Sequence, residues 1–156
     1  MTWRQWLALA AGLLAVVSLF LPWTVLSAAD PEVEAVLREM PESDVVRSVW
    51  LAGFFGWSPP FLLLATGVAV VLYGHRRAAR VSGLPQVWLV LAILSLAMAV
   101  LGWLLIDTQF GAEQRGLLAD AGVGIDAAAG RYLCLAAAVV SLVGAVLDSR
   151  RRPGNG

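Results

Sequence analysis

Four long apolar stretches, Gln5–Ser27, Trp50–Gly74, Val87–Ile106 and Ala127–Leu147, dominate this chain, and ionisable residues fall almost entirely between them. A helix rises about 1.5 Å per residue and the hydrocarbon layer is about 30 Å thick, so roughly 20 apolar residues suffice to cross it. Each stretch meets that length. The chain has 156 residues, 60% of them hydrophobic, against roughly 45–50% in a soluble domain. The stretches take up more than half of it, which leaves no room for a soluble domain of ordinary size. The expected fold is therefore an all-α, four-transmembrane-helix bundle, a single domain over 1–156.

Charge sorts by segment. Ten of the eleven carboxylates lie in two connections, 28–49 and 107–130. Arg4 precedes the first stretch, Arg76, Arg77 and Arg80 follow the second, and Arg150, Arg151 and Arg152 follow the fourth. Arginine excess marks the cytoplasmic side. The expectation is a multi-pass protein of the plasma membrane with both termini cytoplasmic and the acidic connections outside. The zero net charge conceals this polarity. The six arginines of the inner link and C-terminal tail are candidate contacts for anionic lipid headgroups, at about 1 kcal/mol per charge near the surface. Topology determination alone also accounts for them. The first stretch exceeds the ~7–15-residue core of a removable signal, so it is expected to be retained.

The first outer segment carries helix signals. Asp30-Pro31 reads as an N-cap followed by proline at the first helical position. Val33, Val36, Leu37 and Met40 then share one face, and Pro41 stops the helix. That face is a candidate partner surface; the plainer reading is a lid over the bundle. Ser43 or Asp44 is expected to cap a second short helix bearing Val45, Val46, Val49 and Trp50. In the second outer segment a helix is expected over Gln114–Ala121 with Leu117 and Leu118 inward. Gly122, Gly124 and Gly130 imply a tight return.

Ser58-Pro59-Pro60 interrupts the second stretch. Prolines inside a helix remove hydrogen bonds, so a break or bend is expected there. Small residues recur every fourth position at Ala137, Ser141 and Ala145 and at Ala8 and Gly12, which lets helix backbones approach closely in lipid. Tryptophans near the predicted ends, among them Trp50, Trp57, Trp88 and Trp103, read mostly as interfacial anchors.

Reactive groups are scarce. The cores of the four stretches hold no ionisable residue, which argues against an ion or proton path. Cys134 is the only cysteine and His75 the only histidine, so neither a dithiol motif nor a bis-histidine haem site can form within one chain. No phosphate-cradling, nucleophile-elbow or zincin motif is present. No cofactor, metal or nucleic-acid partner is expected. Arg131, at the start of the fourth stretch, is expected to be structural, either snorkelling to headgroups or pairing with Asp126 or Asp107.

Leu21-Pro22-Trp23, Gly56-Trp57-Ser58-Pro59-Pro60 and Gly130-Arg131-Tyr132 together resemble the layout of small four-helix membrane proteins of actinobacteria, such as the tryptophan-biosynthesis-associated membrane protein family. The resemblance implies a fold and brings no activity or site residue with it. The leading functional expectation is a non-catalytic accessory or scaffold subunit of a larger membrane or cell-envelope complex, with lipids and other membrane subunits or further copies as partners. The alternative is a binder or carrier of a lipid or small apolar ligand, with Trp57, Trp103 and Phe110 as candidate contacts. An enzyme acting on lipid-linked substrates through Asp107 or Glu113 is the third reading.

Overall fold

The structure is a computed structural model that describes residues 3–74, 76 and 83–150. Four long helices, α1 (Trp3–Phe20), α4 (Phe54–Tyr73), α5 (Leu84–Leu104) and α7 (Ala129–Ser149), pack in a ring: α1 against α4 and α7, and α5 against the same two. Three of them, α4, α5 and α7, are long and apolar enough to cross a membrane, while the apolar part of the first is shorter, Gln5–Phe20.

At one end the helices carry a cap, expected from the sequence as short helices alone. It contains a three-stranded antiparallel sheet in the order β2-β1-β3, formed by β1 (Thr24–Ala28), β2 (Val46–Arg47) and β3 (Val123–Ala127). Thr24 lies opposite both Arg47 and Ala127, and Leu26 lies opposite Ile125. The fold is therefore not all-α. The first apolar stretch does not continue as helix to Ser27. Pro22 cannot donate to the helical ladder and disfavours helix at Leu21, and Thr24-Val25 then enter the sheet, where β-branched side chains pack well.

Short helices complete the cap. α2 (Pro31–Glu39) starts where the sequence placed it: the Asp30 carboxylate accepts the Glu32 N–H at 2.8 Å, with proline in the first turn. Its expected apolar face is only partly used. Leu37 is buried in a cluster with Leu26 and Phe110, whereas Val36 is 59% and Met40 42% exposed. The second expected helix is reduced to one turn, α3 (Glu42–Val45); Val46-Arg47 pairs with β1, and Val49–Ala52 forms a 3₁₀ turn. α6 (Ala112–Asp120) matches the helix expected in the second outer segment. Leu118 packs inward, but Leu117 points out at 65% exposure. Gly122, at φ 70°, makes the return.

The interruption in the second stretch lies at Gly53 rather than at the prolines. Gly53 has φ 75° and ψ −175°, a region essentially restricted to glycine. α4 then runs through Pro59 and Pro60 without interruption. The prolines withdraw the N–H groups that would bond Phe55 O and Gly56 O. Gly102 of α5 passes beside the freed Phe55 carbonyl, so close that a Cβ there would stand 2.7 Å from the oxygen. A Cα–H···O contact is the natural replacement.

Small residues carry the helix packing. Ala8, Ala137, Ser141 and Ala145 are all buried. Trp88 is buried as well, and its indole N–H bonds Ser141 Oγ at 3.1 Å. It fills the core over Gly144, where a Cβ would meet the indole at 2.9 Å, and is no interfacial anchor. Trp23 is likewise internal.

Two glycine substitutions should have opposite effects. A Cβ on Gly130 would lie 2.4 Å from the Trp23 ring, with nothing free to move aside, so Gly130→Ala should cost about 1–3 kcal/mol through overpacking. Gly116 lies in α6 with open space around it, so Gly116→Ala should gain about 0.5–1 kcal/mol. Thermal unfolding in mild detergent measures both.

Candidate functional site

Two features stand out in the cap: a buried arginine at its junction with the helices, and an apolar groove on its flank.

Arg131 is 4% exposed. It sits in the first turn of α7, where the helix dipole opposes a cation. Three acceptors compensate. Nε donates to Trp23 O at 2.9 Å, Nη1 to Gly102 O at 2.6 Å, and Nη2 to Thr24 Oγ1 at 3.4 Å. Gly102 O belongs to the last turn of α5, where carbonyls lack helical partners and the dipole favours positive charge. The arginine therefore turns its back on its own helix terminus and caps the neighbouring one. Neither Asp126 nor Asp107 pairs with it; Asp126 instead accepts a hydrogen bond from Ser27. Among the described residues the only salt bridge is Glu34–Arg38.

The Leu-Pro-Trp and Gly-Arg-Tyr segments meet here. Pro22 O accepts the Gly130 N–H at 2.8 Å, Trp23 O accepts the Ala128 N–H at 3.1 Å, and Trp23 donates its own N–H to Arg47 O at 2.9 Å. The Trp23 indole donates to Ser18 O at 2.6 Å and packs with Val49 and Cys134. Every one of these bonds joins structural elements, and nothing in the cluster is aimed at open space. The arginine is structural, as its sequence position implied, with main-chain carbonyls in place of the expected carboxylates.

The groove holds about 500 Å³, and its apolar walls come from Leu26, Met40, Leu51, Phe110, Leu117 and Leu118. Binding pockets for small molecules span about 300–1,000 Å³ and are mostly apolar with a few polar groups. Here those groups include Arg47 and Asp44. The Arg47 guanidinium lies 4.0 Å from the Phe110 ring centroid and donates Nη1 to Gln109 O at 3.3 Å. Gln109 Oε1 accepts from Thr24 Oγ1 at 3.1 Å, so the groove wall and the Arg131 junction share one hydrogen-bonded chain. The Gln109 side-chain nitrogen is buried without a partner.

The groove adjoins an aromatic ridge. Leu51 follows Trp50, whose ring stands 6.1 Å from that of Phe61 on α4. Phe54 and Trp57 continue the ridge with edge contacts at 5.3 Å, and Trp57 meets Phe61 at 6.0 Å. Trp50, Phe54 and Phe61 are exposed.

The candidate contacts named from the sequence are not gathered in one place. Phe110 lines the groove. Trp57 belongs to the ridge. Trp103 stacks edge-on with Tyr132 at 4.8 Å. Of the partner-surface residues, Met40 lines the groove, Leu37 is internal, Val33 is half-buried and Val36 faces out. Among the basic residues, Arg76 is exposed and lies 5.6 Å from the Tyr73 ring, and Arg150 is exposed at the end of α7. His75, Arg77, Arg80, Arg151 and Arg152 lie outside the described residues. Sequence reasoning overlooked Arg47 and Leu51. The available signal was the apolar run Val49–Ala52 just ahead of Gly53, too short to span and too apolar for a free loop.

No protein-family profile matches this chain, and neither curated proteins nor solved structures give a significant match.

Arg131→Met should destabilise the protein on the order of 3 kcal/mol, because charge-assisted hydrogen bonds vanish and Gly102 O is left buried. Arg131→Lys should recover only part of this, since an ammonium lacks the planar fork that reaches three acceptors. Thermal unfolding together with proteolysis within 28–48 checks both.

Proposed function

We propose that this is a non-catalytic membrane protein that binds a lipid or small apolar ligand at its outer face. The observation that carries the reading is the apolar groove on the cap, lined by Phe110 and by Leu51, which follows the exposed Trp50 of the aromatic ridge in the chain.

Placement in the membrane supports the same reading. α4, α5 and α7 are long and apolar enough to cross a membrane. α1 packs along α4 and α7 at close range: a Cβ on Gly67 would stand 2.8 Å from Ala8 O. A helix held that tightly between two spans lies at their depth, and 18 residues cover about 27 Å, close to the hydrocarbon thickness. We therefore propose four spans. Arginine placement puts the cap outside and both termini in the cytoplasm.

Membership in a larger complex is the second reading. It is favoured by Val36, which is left exposed on a well-formed helix of the cap. A stoichiometric partner recovered from native membranes in mild detergent would support it.

Two measurements test the proposal. In a Cys134→Ala background, E34C should react with a membrane-impermeant maleimide on intact cells, and R76C only after permeabilisation; reaction of both from one side would end the topology. Native mass spectrometry of protein released gently from detergent should retain a bound apolar molecule. Leu117→Glu, placed at an exposed groove position, should abolish that adduct without lowering thermal stability. An adduct unchanged by this substitution would end the groove reading.

A further inference from the structure

Resting on the ligand-binding reading above, we infer that the groove holds one acyl chain of an anionic outer-leaflet phospholipid, with the phosphate on Arg47. Three features of the groove select this occupant.

The first is proximity. An occupant that is itself part of the bilayer needs no soluble phase. Leu51 of the groove lining follows Trp50 in the chain, and Trp50 meets Phe61 of α4 at 6.1 Å, in a ridge that Phe54 and Trp57 extend. Aromatic rings prefer the headgroup level, so this side of the groove lies where glycerol and phosphate groups lie. A chain tilting out of the leaflet would enter with its headgroup already near the cap.

The second is charge. Arg47 lines the groove and has no carboxylate in ion-pair contact among the described residues. Its guanidinium lies over the Phe110 ring, and Nη1 is bound to a main-chain carbonyl. The guanidinium is thus held in place while further donors remain for a phosphate, which arginine binds through its planar fork. The carboxylate of Asp44 shares the lining and is exposed. It opposes an anion, and it therefore supplies a test.

The third is wall chemistry. Apart from Ser43 and Gln114, the remainder of the lining is apolar, from the buried Leu26 to the outward-pointing Leu117. A polar peptide or sugar would lose hydrogen bonds there without replacement, whereas each buried methylene is favourable.

The full-length protein would be reconstituted in phosphatidylcholine nanodiscs containing a trace of phospholipid with a photoactivatable acyl chain. The headgroup would be phosphatidylglycerol in one set and phosphatidylcholine in the other. Cross-linked residues would be mapped by peptide mass spectrometry. The expected label falls on segments 40–51 and 110–118, about fivefold more with phosphatidylglycerol, as one arginine near the surface allows. Arg47→Gln should remove that preference, and Asp44→Asn should strengthen it at an exposed position where folding is not at risk. Leu117→Glu should abolish groove labelling by both probes.

Groove labelling without headgroup preference would overturn the assignment to Arg47 and leave the apolar-ligand reading standing. Labelling confined to the ridge and the helix faces would overturn both. A polypeptide cross-linked to 40–51 in native membranes, with lipid label absent, would give the groove to a protein partner and overturn the inference.

Discussion

The Arg131 guanidinium lies at the junction of the cap and the helices and bonds to both. Arg131 starts α7, bonds the backbone of the β1 strand entrance at Trp23, and reaches across to the C-terminal turn of α5 at Gly102. No carboxylate takes part. Main-chain carbonyls solvate the charge, and one of them belongs to a helix end whose dipole favours a cation. For a buried ionised group this avoids the desolvation cost that a paired acid would add. One side chain thereby contacts the entrance of β1, the end of α5 and the start of α7. Gly130 beside it allows the Trp23 ring to lie flat against the helix start, and the ring's indole in turn ties back to α1 through Ser18.

The rest of the helical packing follows the same economy of small groups. Small residues at the contacts let the helices approach closely. Gly67 against Ala8, Gly144 against Trp88 and Gly102 against Phe55 each work by omitting a side chain. The pair Pro59-Pro60 fits this scheme. The prolines strip two carbonyls of partners, and Gly102 brings another helix close enough to cover one of them. Ser58 bonds back to Phe54 O at 2.6 Å and occupies the adjacent carbonyl.

Local signals in the sequence were legible where the physics was local. Asp30-Pro31 began a helix because a carboxylate two residues away from an N–H can cap it with no help from the fold. Gly122 made a turn because its own dihedral preference allowed one. The errors came from competition at longer range. Trp88 reads as an interfacial anchor by position, but Ser141, 53 residues away, offers its indole a partner inside the bundle. Leu21–Ser27 reads as membrane helix by hydropathy, yet Arg47 and Ala127 offer Thr24 a ladder. Val36 and Leu117 lie on faces that helical periodicity assigns to a core, and the cap has no further layer to cover them.

Three helices long and apolar enough to cross a membrane are legible in the sequence by itself, because apolar length is a property of each segment and a helix satisfies its own backbone. The sheet, the partners of Arg131 and the groove beside Arg47 depend on segments 20 to over 100 residues apart. β2 is two residues long and carries no strand signal of its own; it is a strand because β1 lies beside it. Only the assembled chain brings Leu26, Leu51, Phe110 and Leu117 around one space, since no periodicity within any single element encodes a cavity between four of them.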